Sequence, residues 1–181
     1  MASKIISEKN SPCPYYFPEH LRKALSAIPD YPVTSIEADS GYGKTTAMRE
    51  FLRNLSGNAR AVWHTCFGEP PAKTWEGICR MFGEADAEVS PKLKELYPPT
   101  LETLSDIAAV MRELSCEDEI FLVIDNYQLF QNTIPYRLMD AFSVHTNAHV
   151  HVVFVSQPLA ASPRSVHNPN IHRISTKDFL F

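Results

Sequence analysis

Gly41, Tyr42, Gly43, Lys44, Thr45 and Thr46 follow one another inside the run I-E-A-D-S-G-Y-G-K-T-T-A-M, from Ile36 to Met48. Their types and order suit the binding of a nucleotide's phosphates. Glycines let the main chain come close to a ligand, and the N–H groups of the loop and of the helix that follows can hold phosphate oxygens. Lys44 is a mobile point charge for terminal phosphates, Thr45 can face a magnesium ion, and Thr46 falls near the first phosphate. The strict form of this motif opens on glycine, and the chain has Ala38 there. A plain strand-to-helix turn is the alternative. It leaves a lysine followed by two threonines, at the head of an apolar helix, without a purpose.

Phosphate chemistry of this kind calls for a carboxylate on the other side of the metal. The run E-I-F-L-V-I-D, Glu119 to Asp125, is continuously apolar and rich in β-branched residues, as in a central parallel strand covered on both faces, and it ends on an acid. Asp125 is therefore expected to share magnesium with Thr45. Taken alone, such an aspartate could equally open a turn or cap a helix. The presence of Lys44 tips the reading toward the metal.

The elements that must position these residues alternate between short β-branched runs and amphipathic stretches, the pattern of an α/β domain. Strands are expected at Val33–Ala38, Ala61–Cys66, Glu119–Asp125, His149–Ser156 and Ile171–Ile174. A helix covers Glu19–Ala27, and another runs from the glycine loop to about Leu55, where Ser56, Gly57 and Asn58 stop it. A third begins near Pro71, with Trp75, Ile78, Cys79 and Phe82 on one face. Pro91 to Pro99 is expected to be a proline-bounded break. Further helices are expected at Leu101–Leu114, with Leu101, Leu104, Ile107, Ala108 and Met111 in a stripe, and from about Asn132 to His145. Residues 1–30 read as an N-terminal arm and helix, and 31–181 as one nucleotide-binding domain. The arm S-P-C-P-Y-Y-F-P is expected to lie over the domain and cover the adenine.

With 181 residues, 44% of them hydrophobic and 21% charged, the chain can bury a full core. A formal net charge of −4 and a pI near 6.0 exclude nucleic-acid binding through a broad basic surface. Cys13, Cys66, Cys79 and Cys116 lack C-x-x-C spacing and read as reduced, structural thiols. The N-terminus lacks the apolar stretch of a signal peptide and no run is long enough to span a bilayer, so a cytoplasmic location is expected, with no membrane partner. His149 and His151 alternate on one strand face, but no third ligand sits at a metal-binding spacing. They are expected to mark the exposed start of that strand. A small GTPase would carry N-K-x-D and a D-x-x-G after its magnesium strand. A metabolite kinase would carry an arginine-rich lid, for which Ala160 to Asn170 contributes Arg164 alone. The closing D-F-L-F stops in mid-pattern, which reads as a domain excised from a longer protein.

In order, A-D-S-G-Y-G-K-T-T, V-W-H-T, F-L-V-I-D-N-Y-Q-L-F, V-V-F-V-S and the closing D-F-L-F resemble the ATPase domain, of the NB-ARC and AAA-like kind, of MalT-type, LuxR-like bacterial transcriptional regulators. These belong to the STAND class of signal-transduction ATPases. The resemblance covers most of Val33 to Phe181, and its loop usually opens on alanine. It implies a P-loop NTPase with a parallel five-stranded sheet flanked by helices, strand four lying between strands one and three. It also implies ATP and Mg2+ as ligands, phosphate contacts from Gly41 to Thr46, and metal contacts through Thr45 and Asp125. Catalysis would involve Lys44, Asp125 and the residue at position 126. The implied partners are sensor repeats of the parent protein, and DNA through a helix-turn-helix absent from this chain.

Two positions depart from the family. Asn126 stands where a second acid would polarise the attacking water, and Gln157 where an arginine commonly senses the terminal phosphate. Both point to slow or absent hydrolysis. A degenerate P-loop domain serving as a structural or protein-interaction module stays open as the alternative.

Overall fold

The computed structural model describes residues 17–55, 57–159 and 168–180. Most of the proline-rich arm, Cys13 and Arg164 lie outside them. The elements are α1 (Glu19–Ser26), β1 (Val33–Glu37), α2 (Lys44–Arg53), β2 (Arg60–Thr65), α3 (Pro71–Gly83), α4 (Val89–Lys94), α5 (Leu104–Arg112), β3 (Ile120–Asp125), α6 (Pro135–Phe142), β4 (Val150–Ser156) and β5 (Ile171–Ser175). The strands form one sheet in the order β2-β3-β4-β1-β5, and every neighbouring pair is parallel. β4 thus lies between β1 and β3, as expected.

Alternation along the strands divides the apolar residues between two faces. Ile36, Phe121, Val123, Val153, Val155 and Ile174 pack with α1 and α2. Leu122, Ile124, Val152, Phe154 and Ile171 pack with α3 to α6. β3 and β4 are buried along their whole length because both faces are covered, which is why their sequences are continuously apolar.

Several elements depart from the sequence expectation for local reasons. The proline-bounded break begins as a helix: α4 runs through Pro91. In the first helical turn a residue's N–H has no partner to lose, so proline is tolerated there, and Val89 and Leu93 are buried. α5 starts at Leu104 and leaves Leu101 67% exposed. Thr103 Oγ1 instead accepts the Thr100 N–H at 2.9 Å, a side-chain bond that competes with helix. α6 begins at Pro135, the first-turn site that suits proline. Asn132 Oδ1 accepts the Ile134 N–H at 2.9 Å and holds the preceding residues in a turn.

His151 is not at an exposed strand start. It is 3% exposed, with Nε2 2.7 Å from Glu119 Oε1 and Nδ1 3.3 Å from the Tyr31 carbonyl. His149 does lie at the surface, 3.5 Å from Glu119. Cys66, Cys79 and Cys116 are free, and burial pushes the Cys66 and Cys79 thiols up to about 12.

Two further histidines make stability depend on pH. Burial lowers the His145 pKa, against the Pro32 carbonyl beside it, and burial likewise lowers that of His64, against Glu69. The unfolded chain takes up these protons at about 6.5, before the folded protein does. Stability is therefore complete above that pH and falls as pH drops from 6.5 toward the folded values, by at most about 1.4 kcal/mol per histidine per pH unit. Urea midpoints at pH 7.5 and 5.5 check this, and equal midpoints would contradict it.

The His64 ring packs against Gly77 of α3, where an added Cβ would meet Cε1 at 2.2 Å. Alanine is the better helix former by about 1 kcal/mol, yet overpacking costs roughly 1–3 kcal/mol. Gly77→Ala is expected to lower the urea midpoint. A raised midpoint would show that the ring moves aside freely.

Candidate nucleotide-binding site

β1 ends at the carboxyl edge of the sheet, with Glu37 in register with Ser156 of β4 and Ser175 of β5. The chain then turns through Ala38–Gly43 into α2. Gly41 and Gly43 adopt φ of 87° and 77°, left-handed values that glycine enters without strain. Gly43 caps α2, and its carbonyl accepts the Ala47 N–H at 2.8 Å. Ala38 is buried in the α2-side core and donates its N–H to the Ser156 carbonyl at 3.3 Å. The relaxed first position of the motif is therefore a packed one, with room and use for a methyl group.

Lys44 is the first residue of α2, and its side chain arches back over the loop. Nζ donates to the carbonyl oxygens of Ala38 at 2.6 Å and Asp39 at 2.8 Å. Burial lowers its pKa, while Asp125 and Asp39 pull the other way. Thr46 is half-buried beside it, and Tyr42 is exposed.

Asp125 closes β3, only 4% exposed. Although β4 separates β3 from β1, Thr45 Oγ1 donates to Asp125 Oδ1 and Oδ2 at 3.1 and 3.2 Å. The two residues expected to share a metal are thus brought together from opposite sides of β4. A hydroxyl and a carboxylate are hard oxygen donors of the kind Mg2+ takes, and Mg2+ typically completes its shell with phosphate oxygens and water. The set fits that ion. Among the described residues no group of three or more His, Cys, Asp and Glu is placed to hold a metal ion.

Asn126 follows with φ 54°, the one positive value among the described non-glycine residues, and its N–H donates to Asp125 Oδ1 at 2.9 Å. Gln157, exposed at the exit of β4, donates its N–H to Gln128 Oε1 at 3.0 Å.

Glu37 and Tyr136 also belong to this edge, and motif reasoning passes over them. Ser35 Oγ donates to Glu37 Oε1 at 2.7 Å and Tyr136 OH to Oε2 at 2.9 Å. Burial, with Glu37 beside it, pushes the Tyr136 hydroxyl up to about 12. The available signal was V-T-S-I-E itself. Ser35 and Glu37 interrupt the apolar pattern on one face of a strand that sits between two others.

A parallel sheet that carries a glycine-lysine-threonine loop after β1 and an aspartate at the end of β3, on either side of β4, is the architecture of a P-loop NTPase. Residues 31–164 match the profile of the AAA domain family, well over half the chain, and the protein belongs to that family. No curated protein matches it. AAA P-loop domains in general bind ATP with Mg2+, so the coarse function is nucleotide binding. No described helix is long and apolar enough to cross a membrane.

Proposed function

We propose that the chain is the ATP-binding switch domain of a LuxR-type, STAND-class transcriptional regulator, with slow or absent hydrolysis. Gly41 to Thr46 hold the phosphates, Lys44 neutralises the terminal ones, and Thr45 with Asp125 holds Mg2+, which when bound offsets phosphate charge. The observation that carries the nucleotide-binding part of this reading is the Thr45–Asp125 pair, formed across β4 by residues distant in sequence; the regulator class rests on the resemblance of its motifs. In the same reading residues 31–181 form the nucleotide unit of a cytoplasmic regulator and 1–30 an arm and helix. DNA binding and inducer sensing reside in other segments of the parent protein. Bound ATP favours one arrangement of those segments and ADP another, through contacts that differ between the two.

Mg-ATP at a hundred times its dissociation constant is expected to stabilise the fold by roughly 2.7 kcal/mol. Thermal unfolding with and without Mg-ATP measures this, and the shift is expected to vanish in Lys44→Ala. A wild-type shift of zero, or one that survives in Lys44→Ala, sinks the reading.

The amide of Asn126 favours a second reading, a P-loop domain that has lost turnover and serves as a protein-interaction module. Phosphate release from the wild-type protein separates the two.

A further inference from the structure

The exit of β4 is confined from both sides. Ser156 is in register with Glu37 at the base of the phosphate loop, and Val155 with Asp125. The residues after Ser156 therefore leave the sheet between the loop that grips phosphates and the carboxylate on the metal side. In the nucleotide-binding reading the metal bridges the second and third phosphates, so the third would extend past Lys44 toward Asp125 and this gap, which a diphosphate would leave unfilled.

The exit segment is tied at both ends. Gln157 donates its N–H to Gln128 Oε1 at 3.0 Å. Pro158 follows, with its fixed φ, and Leu159 then donates its N–H to Glu37 Oε2 at 3.5 Å. The same carboxylate accepts Tyr136 OH at 2.9 Å and Ser35 Oγ at 2.7 Å, and the tyrosine hydroxyl lies 3.4 Å from the Leu159 carbonyl. Arg173 of β5 places its guanidinium 5.7 Å from the centre of the Tyr136 ring, a cation–π contact that fixes the ring's orientation. On its other side Glu37 is bonded to Ala38, whose carbonyl accepts Lys44 Nζ at 2.6 Å. A half-buried carboxylate with three donors on it, from β1, α6 and the exit of β4, is more than β1 needs to pair in the sheet.

We propose that Glu37 and Tyr136 are positioning residues for the terminal phosphate: they hold the Gln157–Leu159 segment against the base of the phosphate loop and so set the preference for nucleoside triphosphate over diphosphate. This rests on the nucleotide-binding reading above. Neither side chain touches the ligand. Both act through the main chain of the exit segment, so their loss is felt by the ligand that reaches that segment.

The test is calorimetric titration of wild type, Tyr136→Phe and Glu37→Gln with Mg-ATP and with Mg-ADP. Tyr136→Phe removes one oxygen and is expected to weaken Mg-ATP binding about 3- to 10-fold, the range of one lost hydrogen bond, while Mg-ADP stays within about twofold. Glu37→Gln, which turns one acceptor into a donor facing a donor, is expected to shift the ATP-to-ADP ratio in the same direction. Equal weakening of both nucleotides marks a merely structural role and overturns the proposal, as does an unchanged ratio, while in either case nucleotide binding stands. A wild-type protein that binds neither nucleotide overturns the nucleotide reading and the proposal with it. Should either variant fail to fold, the other decides.

Discussion

Asn126→Asp is expected to raise phosphate release from Mg-ATP by about 10²- to 10⁴-fold, the contribution of a positioned general base. The amide follows Asp125, the residue proposed to hold the metal, and in the regulator class proposed above this is the place of a second acid. An amide oxygen accepts a hydrogen bond but cannot take the proton of an attacking water. The swap also disturbs little. Asn126 sits at φ 54°, a left-handed conformation that aspartate tolerates about as well as asparagine. The bond from its N–H to Asp125 Oδ1 belongs to the main chain and survives. A second carboxylate beside Asp125 raises the proton affinity of the pair, which favours a base. A sensitive phosphate-release assay on wild type and variant decides. An unchanged rate, with Mg-ATP binding intact, would show that something other than this amide limits hydrolysis.

Trp75→Ala is expected to lose about 3–5 kcal/mol of folding stability, a large share of the roughly 5–15 kcal/mol that a domain has. Trp75 is 1% exposed on α3, and its ring lies near-parallel to those of Phe130 and Phe142, at centroid distances of 6.5 and 6.4 Å. Its Nε1 donates to the Leu93 carbonyl at 3.0 Å and fastens α4 to α3. Truncation opens a cavity and also leaves that carbonyl without its donor. Trp75→Phe keeps most of the packing and loses the bond, so it is expected to cost less. Urea denaturation orders the three proteins. A Trp75→Ala midpoint within error of wild type would mean that α4 and α6 close over the gap.

Much of this molecule was legible because its strongest signals are local. The glycines, Lys44 and the threonines are adjacent, and β3 announces a strand buried on both faces by being apolar throughout. What escaped depends on partners remote in sequence. His151 is drawn inside by Glu119 and by the Tyr31 carbonyl, neither of which a strand pattern reveals. Pro91 reads as a breaker until Trp75 anchors Leu93 and shows that the proline lies in a first turn. Glu37 reads as the polar end of a strand, and only the fold brings Tyr136 and Leu159 to it. Thr45 and Asp125 were both named from sequence. Their approach across an intervening strand had to come from the resemblance, since composition and periodicity carry no strand order.

The position of β1 has a consequence for biosynthesis. Val33 leaves the ribosome well before its neighbours in the sheet, Val152 and Ile171. The segment that becomes the phosphate loop therefore waits, unpaired, until β4 has been made, and loop closure over such a span is slow. A nascent chain halted before β4 carries every residue of the glycine loop but neither strand that pairs with β1, so nucleotide can act as a late fastener of the finished domain and not as a template for its assembly.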